Sequence, residues 1–170
     1  MLAAGAQAQA KVIGDQRLAI AFLTTLREAM LHSLRTEALQ GPILSTSQQV
    51  VDYLFADMAH ARVERFRVLF LDARNRLLRD EVMGEGSINE APIYPREIMR
   101  RALEVGASAL ILAHNHPSGD PQPSRKDIRT TARIAEAGRT LGIAIHDHLI
   151  LSKGGWTTFR MLGLLDREAR

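Results

Sequence analysis

The feature that most constrains this chain is the run at 107–113, Ala-Ser-Ala-Leu-Ile-Leu-Ala, which passes without a break into His114-Asn115-His116. A stretch of small and apolar residues with no charged face suits a central strand covered on both sides. In an extended chain, residues i and i+2 point to the same side, so His114 and His116 face one point as the strand ends while Asn115 faces away. Pro117, Gly119, Pro121 and Pro123 then make a stiff loop. Ser124-Arg-Lys-Asp127 opens a polar helix, with Ser124 suited to its cap and Asp127 to its first turn. Two imidazoles and a carboxylate make a three-ligand set of the kind Zn²⁺ takes in open, catalytic sites, with a fourth position left for water.

The rest of the chain supplies the layers such a strand needs. Up to about residue 35, Leu18, Phe22, Leu26, Met30 and Leu34 recur at every fourth position, a stripe that predicts an amphipathic helix with that face buried. Gln40-Gly41-Pro42 reads as a linker dividing an N-terminal helical segment, 1–41, from a domain over 42–170. Thr46-Ser-Gln-Gln49 has capping-box spacing, and Val50, Val51, Leu54, Phe55 and Met58 predict a helix to about 61. Residues 65–71 alternate as a strand, Asp72-Ala-Arg-Asn75 has turn chemistry, and 76–83 can return antiparallel, with Gly84 and Gly86 ending the pairing. Pro95 and Gly106 bracket a helix whose inner face is Ile98, Met99, Ala102 and Leu103. A helix over 124–141 places Ile128, Ala132, Ala135 and Leu141 inward. A strand or bent strand pair at 143–152 carries His146-Asp147-His148 and is closed by Gly154-Gly155. The order predicts an α/β fold, a mixed sheet with helices on both faces.

Composition narrows the chemistry. With no cysteine, neither a disulfide nor a thiolate metal site is available, so any metal must be held by His, Asp or Glu. That agrees with a reducing cytosol, and a cytoplasmic location is expected. The longest apolar runs reach about seven residues against the ~20 that span a bilayer, so no membrane segment is expected. Met1-Leu-Ala-Ala-Gly-Ala lacks the basic segment and sustained apolar region of a secretory signal. A hydrophobic content of 46% over 170 residues supports the core of one ordinary domain. The net charge of +3 is a weak footprint for nucleic acid, although the pI is ≈ 9.8 and lysine occurs only at 11, 126 and 153.

The pattern His-x-His-Pro, six residues, then Ser-x-x-Asp resembles the JAMM metalloprotease signature. The string His114-Asn-His-Pro-Ser-Gly-Asp-Pro with Pro123-Ser124 and Asp127, the later Asp147-His148-Leu-Ile, and Pro95-Arg96-Glu97 are together similar to the bacterial RadC family over residues 44–165. The resemblance implies a JAB/MPN, cytidine-deaminase-like fold with an N-terminal helical appendage. It implies Zn²⁺ on His114, His116 and Asp127, and hydrolysis of a peptide or isopeptide bond in a peptide or protein substrate. It also implies a catalytic glutamate near the start of the first hairpin strand, where Glu64 matches as general base, with Glu81 and Glu97 as less fitting substitutes. Ser124 could donate a hydrogen bond to an oxyanion besides capping its helix. His146 and His148 could form a second metal site or a shell around the first, structural hydrogen bonding being the commoner role.

Residues 10–19 resemble the second half of a helix-hairpin-helix DNA-binding unit, but of its two glycines only Gly14 stands, followed by Asp15. A rival reading, suggested by the name of the family the chain resembles and by the basic pI, is a DNA-associated repair or recombination accessory protein with a structural or vestigial metal site. The apolar N-terminal helix is also a candidate homodimer contact.

Overall fold

The computed structural model describes residues 17–38, 41–43, 48–86 and 93–165. Its elements are α1 (Arg17–Ala38), α2 (Gln48–Met58), β1 (Glu64–Leu71), β2 (Leu77–Gly86), α3 (Pro95–Val105), β3 (Ala109–Asn115), α4 (Arg125–Thr140), β4 (Ala144–Ser152) and β5 (Gly155–Thr158). The strands form one sheet in the order β2-β1-β3-β4-β5, with β3 and β4 parallel and every other pair antiparallel. The fold is α/β, a mixed sheet flanked by helices.

The apolar strand takes the centre, as its composition demands: every residue of β3 is buried. Period-two alternation sorts β1 and β3 into two cores. Leu69, Leu71, Ile111 and Ala113 pack with Val50, Val51, Leu54 and Met58 of α2 on one face. Phe66, Val68, Phe70, Leu110 and Leu112 pack with Ile98, Met99 and Ala102 of α3 and Ile134 of α4 on the other. The hairpin turn is fixed by Asp72, whose Oδ1 accepts from the amides of Arg74 and Arg76, while Asn75 takes a left-handed φ of 59°. Pro95 stands in the first turn of α3, and Gly106 ends the helix at φ 71°.

Four expectations about faces and boundaries are corrected. On α1, Leu18 (89% exposed), Phe22 (67%), Leu26 and Met30 face outward. The residues that pack are Leu31, Leu34 and Ala38. A step of four residues turns about 40° beyond a full helical turn, so the expected stripe winds around the helix, and side-chain ion pairs to the domain help set which face is held. On α4, the buried residues are Thr131, Ile134 and Gly138, and both Ile128 and Leu141 are exposed. Asp127 lies on the same face as these three at helical spacing. Gly138 lies so close to the turn that leads out of the helix that a Cβ there would stand 2.5 Å from the Ile143 carbonyl oxygen. Leu103 of α3 is likewise exposed, at 58%. The hairpin pairing ends at Gly86, opposite Glu64, but Gly84 lies within it, paired with Phe66, and a Cβ on Gly84 would meet the Ile93 side chain at 2.6 Å. Thr46 and Ser47 of the expected capping box and most of the helix-hairpin-helix likeness lie outside the described residues.

A buried charge cluster ties α1, α2 and the hairpin together. The Asp80 side chain, 1% exposed, pairs with Arg67 at 2.8 Å and Arg35 at 3.8 Å and accepts from the Tyr53 hydroxyl at 2.7 Å. Arg67 also pairs with Asp57, which Arg27 of α1 reaches at 3.5 Å. Burial, followed by the charge of Asp80, raises the Tyr53 pKa and keeps its proton on the hydroxyl. Among the described residues, no helix is long and apolar enough to cross a membrane.

Candidate metal centre

Strand β3 carries His114 and ends at Asn115, which leaves His116 at the strand mouth. The Nε2 atoms of His114 and His116 are 2.8 Å apart, and the Asp127 carboxylate oxygens lie 3.3 Å and 3.4 Å from them. Each residue thus offers one ligand atom within 4.8 Å of the other two, and two imidazole nitrogens with one carboxylate oxygen are a donor set that zinc accepts. Among the described residues these three side chains form the one group that could hold a metal.

The protons are arranged for it. His116 Nδ1 lies 2.8 Å from the Asp120 carbonyl oxygen. A carbonyl only accepts, so Nδ1 carries hydrogen and the neutral ring turns the lone pair of Nε2 to the cluster. Burial opposes ionisation of Asp127, but the two imidazoles beside it, which donate to the carboxylate when they are protonated, outweigh it together with Ser124 and hold the carboxyl far below its ordinary range. The hydrogen bond with Asp127 raises the His116 pKa against the effect of burial.

A proton on His116 therefore competes with a cation for the same space. Metal affinity, measured by chelator competition, is expected to fall as pH is lowered through the raised His116 pKa and to level off above it. An affinity indifferent to mildly acid buffer contradicts this.

Each candidate residue can now be placed. The antiparallel register sets Phe66 opposite His114, which carries the start of β1 alongside the histidines. Asn115 faces away from the cluster, fully buried, and clamps the chain on both sides of Glu64: its Oδ1 accepts from the Arg65 amide at 2.8 Å and its Nδ2 donates to the Val63 carbonyl at 3.1 Å. Glu64 lines a cleft of about 250 Å³ together with His116, Ser124 and Asp127. It also borders a small cavity of mixed lining that includes Phe66, Ile93, His114 and Lys126. Ser124 caps α4 with both halves of a capping box: its Oγ accepts from the Asp127 amide at 3.1 Å, and Asp127 Oδ2 accepts from the Ser124 amide at 2.7 Å. The cap thus also orients the carboxylate. Glu81 is paired with Arg101, and Glu97 with Arg96 and Arg100; neither lines these cavities.

A family model described as a RadC-like JAB domain matches residues 44–164. The chain belongs to this family. Among its relatives, the UPF0758 protein of Rhodobacter capsulatus is 46% identical over 165 residues, which cover 97% of this chain and 77% of that protein. The UPF0758 protein of Ruegeria pomeroyi is 45% identical over 161 residues, covering 93% and 70% respectively.

One part of the site in this RadC-like JAB domain was left open by the sequence, which allowed His146 and His148 a second metal site, a shell around the first or structural hydrogen bonding. His148 on β4 places its Nε2 2.8 Å from His114 Nδ1 and its own Nδ1 2.6 Å from Thr131 Oγ1, and Thr131 donates to the Asp127 carbonyl at 2.7 Å. The His148 ring stacks on Phe159 and meets Phe66 edge-on. Its complete burial holds its pKa well below the ordinary value and so keeps it neutral. His146 is elsewhere, bonded to Asn75 at 2.8 Å. The reason is a bulge: Leu110 pairs with Ile145 but Ile111 with Asp147, so the i, i+2 alternation breaks at His146. His148 supports the first cluster, and the two histidines do not make a second one.

Proposed function

We propose that this RadC-like JAB domain is a Zn²⁺-dependent peptidase or isopeptidase acting on a peptide or protein substrate in the cytoplasm. The observation that carries the proposal is the convergence of the His114, His116 and Asp127 ligand atoms beside a cleft that Glu64 also lines. Two imidazole nitrogens and one carboxylate oxygen suit zinc better than the all-oxygen preference of magnesium or calcium. Bound zinc supplies Lewis acidity, enough to make water a nucleophile near neutral pH.

The protein's own groups account for the remaining work. Glu64 accepts a proton from the attacking water and delivers it to the leaving amine. Ser124 Oγ accepts from the Asp127 amide, which leaves its hydroxyl proton to donate to the oxyanion. Ser118, Asp120 and Gln122 give the cleft a polar wall along which a peptide backbone can hydrogen-bond.

The purified protein is expected to hold about one zinc per chain. His116→Ala should lose that metal together with any amide hydrolysis. Metal content unchanged by the substitution sinks the proposal. A DNA-associated accessory role is favoured by one observation, the exposed row of Arg125, Arg129 and Arg133 on α4. Duplex binding with a steep salt dependence, and no hydrolysis by the zinc-loaded protein, would support that role instead.

A further inference from the structure

We infer that Thr131 and His148 are positioning residues that fix which nitrogen of His114 is offered to a metal, and that they do so through a hydrogen-bond chain running in one direction from the main chain of Asp127. The inference rests on the metal reading above and concerns groups that do not touch the metal position.

The direction follows from the end that has no choice. The Asp127 carbonyl can only accept, so the Thr131 hydroxyl 2.7 Å away donates to it. With its proton committed, Thr131 Oγ1 has only lone pairs for the His148 Nδ1 at 2.6 Å, and Nδ1 must carry the hydrogen. In a neutral ring that leaves His148 Nε2 as an acceptor, so His114 Nδ1, 2.8 Å from it, is the donor. His114 Nε2 is then a bare lone pair turned toward His116 and Asp127. Phe66 and Phe159 close off the His148 ring. No step is left for water to reverse.

Both ends of the chain are candidate ligands. It begins one helical turn along α4 at Thr131, which bonds back to the residue supplying the carboxylate, and it ends on the imidazole that β3 supplies. Helix and strand are thereby locked in mutual orientation, with β4 as the bridge. A shell of this type typically changes metal affinity 10–100-fold when it is removed.

The test uses the full chain. Long-range ¹H–¹⁵N correlation spectra of the metal-free protein are expected to place hydrogen on Nδ1 of both His114 and His148, the reverse of the tautomer free histidine favours. Hydrogen on Nε2 of either ring overturns the inference without any variant being made. Chelator competition with Zn²⁺, and the absorption spectrum of bound Co²⁺, are then compared for wild type, Thr131→Val and Thr131→Ser. The valine variant keeps the shape, loses the hydroxyl, and is expected to weaken metal binding about 10–100-fold with an altered Co²⁺ spectrum. The serine variant keeps the hydroxyl and is expected to behave as wild type. If Thr131→Val binds metal as wild type does, the inference fails and the metal reading stands; if wild type binds neither ion, both fall together.

Discussion

Glu64→Gln is expected to leave the zinc content unchanged and to lower amide hydrolysis by about 10²–10⁴-fold, the usual contribution of a positioned general base. The two halves of that result separate its role from that of the ligands. Glutamine keeps the size of the side chain and cannot take a proton from water. The backbone that carries it is held by Asn115 through Arg65 and Val63, so the substitution should not shift β1. Glu81→Gln is the matched control, because that carboxylate is engaged by Arg101 and should not affect the rate. Full activity in Glu64→Gln, measured as kcat on a substrate the wild type cleaves, removes Glu64 from the mechanism.

Asp80→Ala is expected to destabilise the fold by about 3–5 kcal/mol, the cost of leaving a buried charge without its partner. Asp80 is the ion-pair partner of Arg67 and the acceptor of the Tyr53 hydroxyl, and its side chain is almost wholly enclosed. Its removal strands the hydroxyl and leaves Arg67 with Asp57 as its one remaining close anion. The contact with Arg35, a half-exposed side chain, should add little. Urea unfolding of wild type, Asp80→Ala and the double variant Asp80→Ala/Arg67→Met gives the measurement. The double variant should recover part of the loss, because the buried cation that has lost one of its two anions is then gone. A loss below about 1 kcal/mol in the single variant would falsify the view that this cluster is a closed unit.

The sequence alone was informative wherever local chemistry leaves one solution. Pro95 and Gly106 mark the two ends of α3, since one lacks the amide a first turn does not need and the other accepts a left-handed φ. The Ser124 and Asp127 pairing at the head of α4 follows from a spacing of three residues. The order of helices and strands and the central place of the apolar strand also follow from pattern. Local reading failed where a face is chosen by a partner distant in sequence. On α4 the apolar Ile128 and Leu141 are exposed, while Thr131 and Gly138 are buried. Hydrophobicity did not select that face; Asp127 beside the histidines and the contact of Thr131 with His148 of β4 did. On α1 the same error arose because ion pairs to Asp57 and Asp80 contribute to the orientation of the helix.

For the candidate centre, the sequence by itself determined the ligand set: strand alternation sends His114 and His116 to one side, and a capped helix start turns Asp127 toward them. Only the tertiary structure decided what surrounds that set. The register of β1 on β3 brings the start of β1 beside the histidines, Asn115 pins the backbone around Glu64, and a bulge in β4 sends His148 inward and His146 away. The physical reason is the range of the forces. Candidate ligands two residues apart on a strand converge through covalent geometry, whereas the Glu64 carboxylate, the Asn115 clamp and the His148 imidazole, drawn from three separate strands, meet only through long-range hydrogen bonding and packing of the assembled sheet.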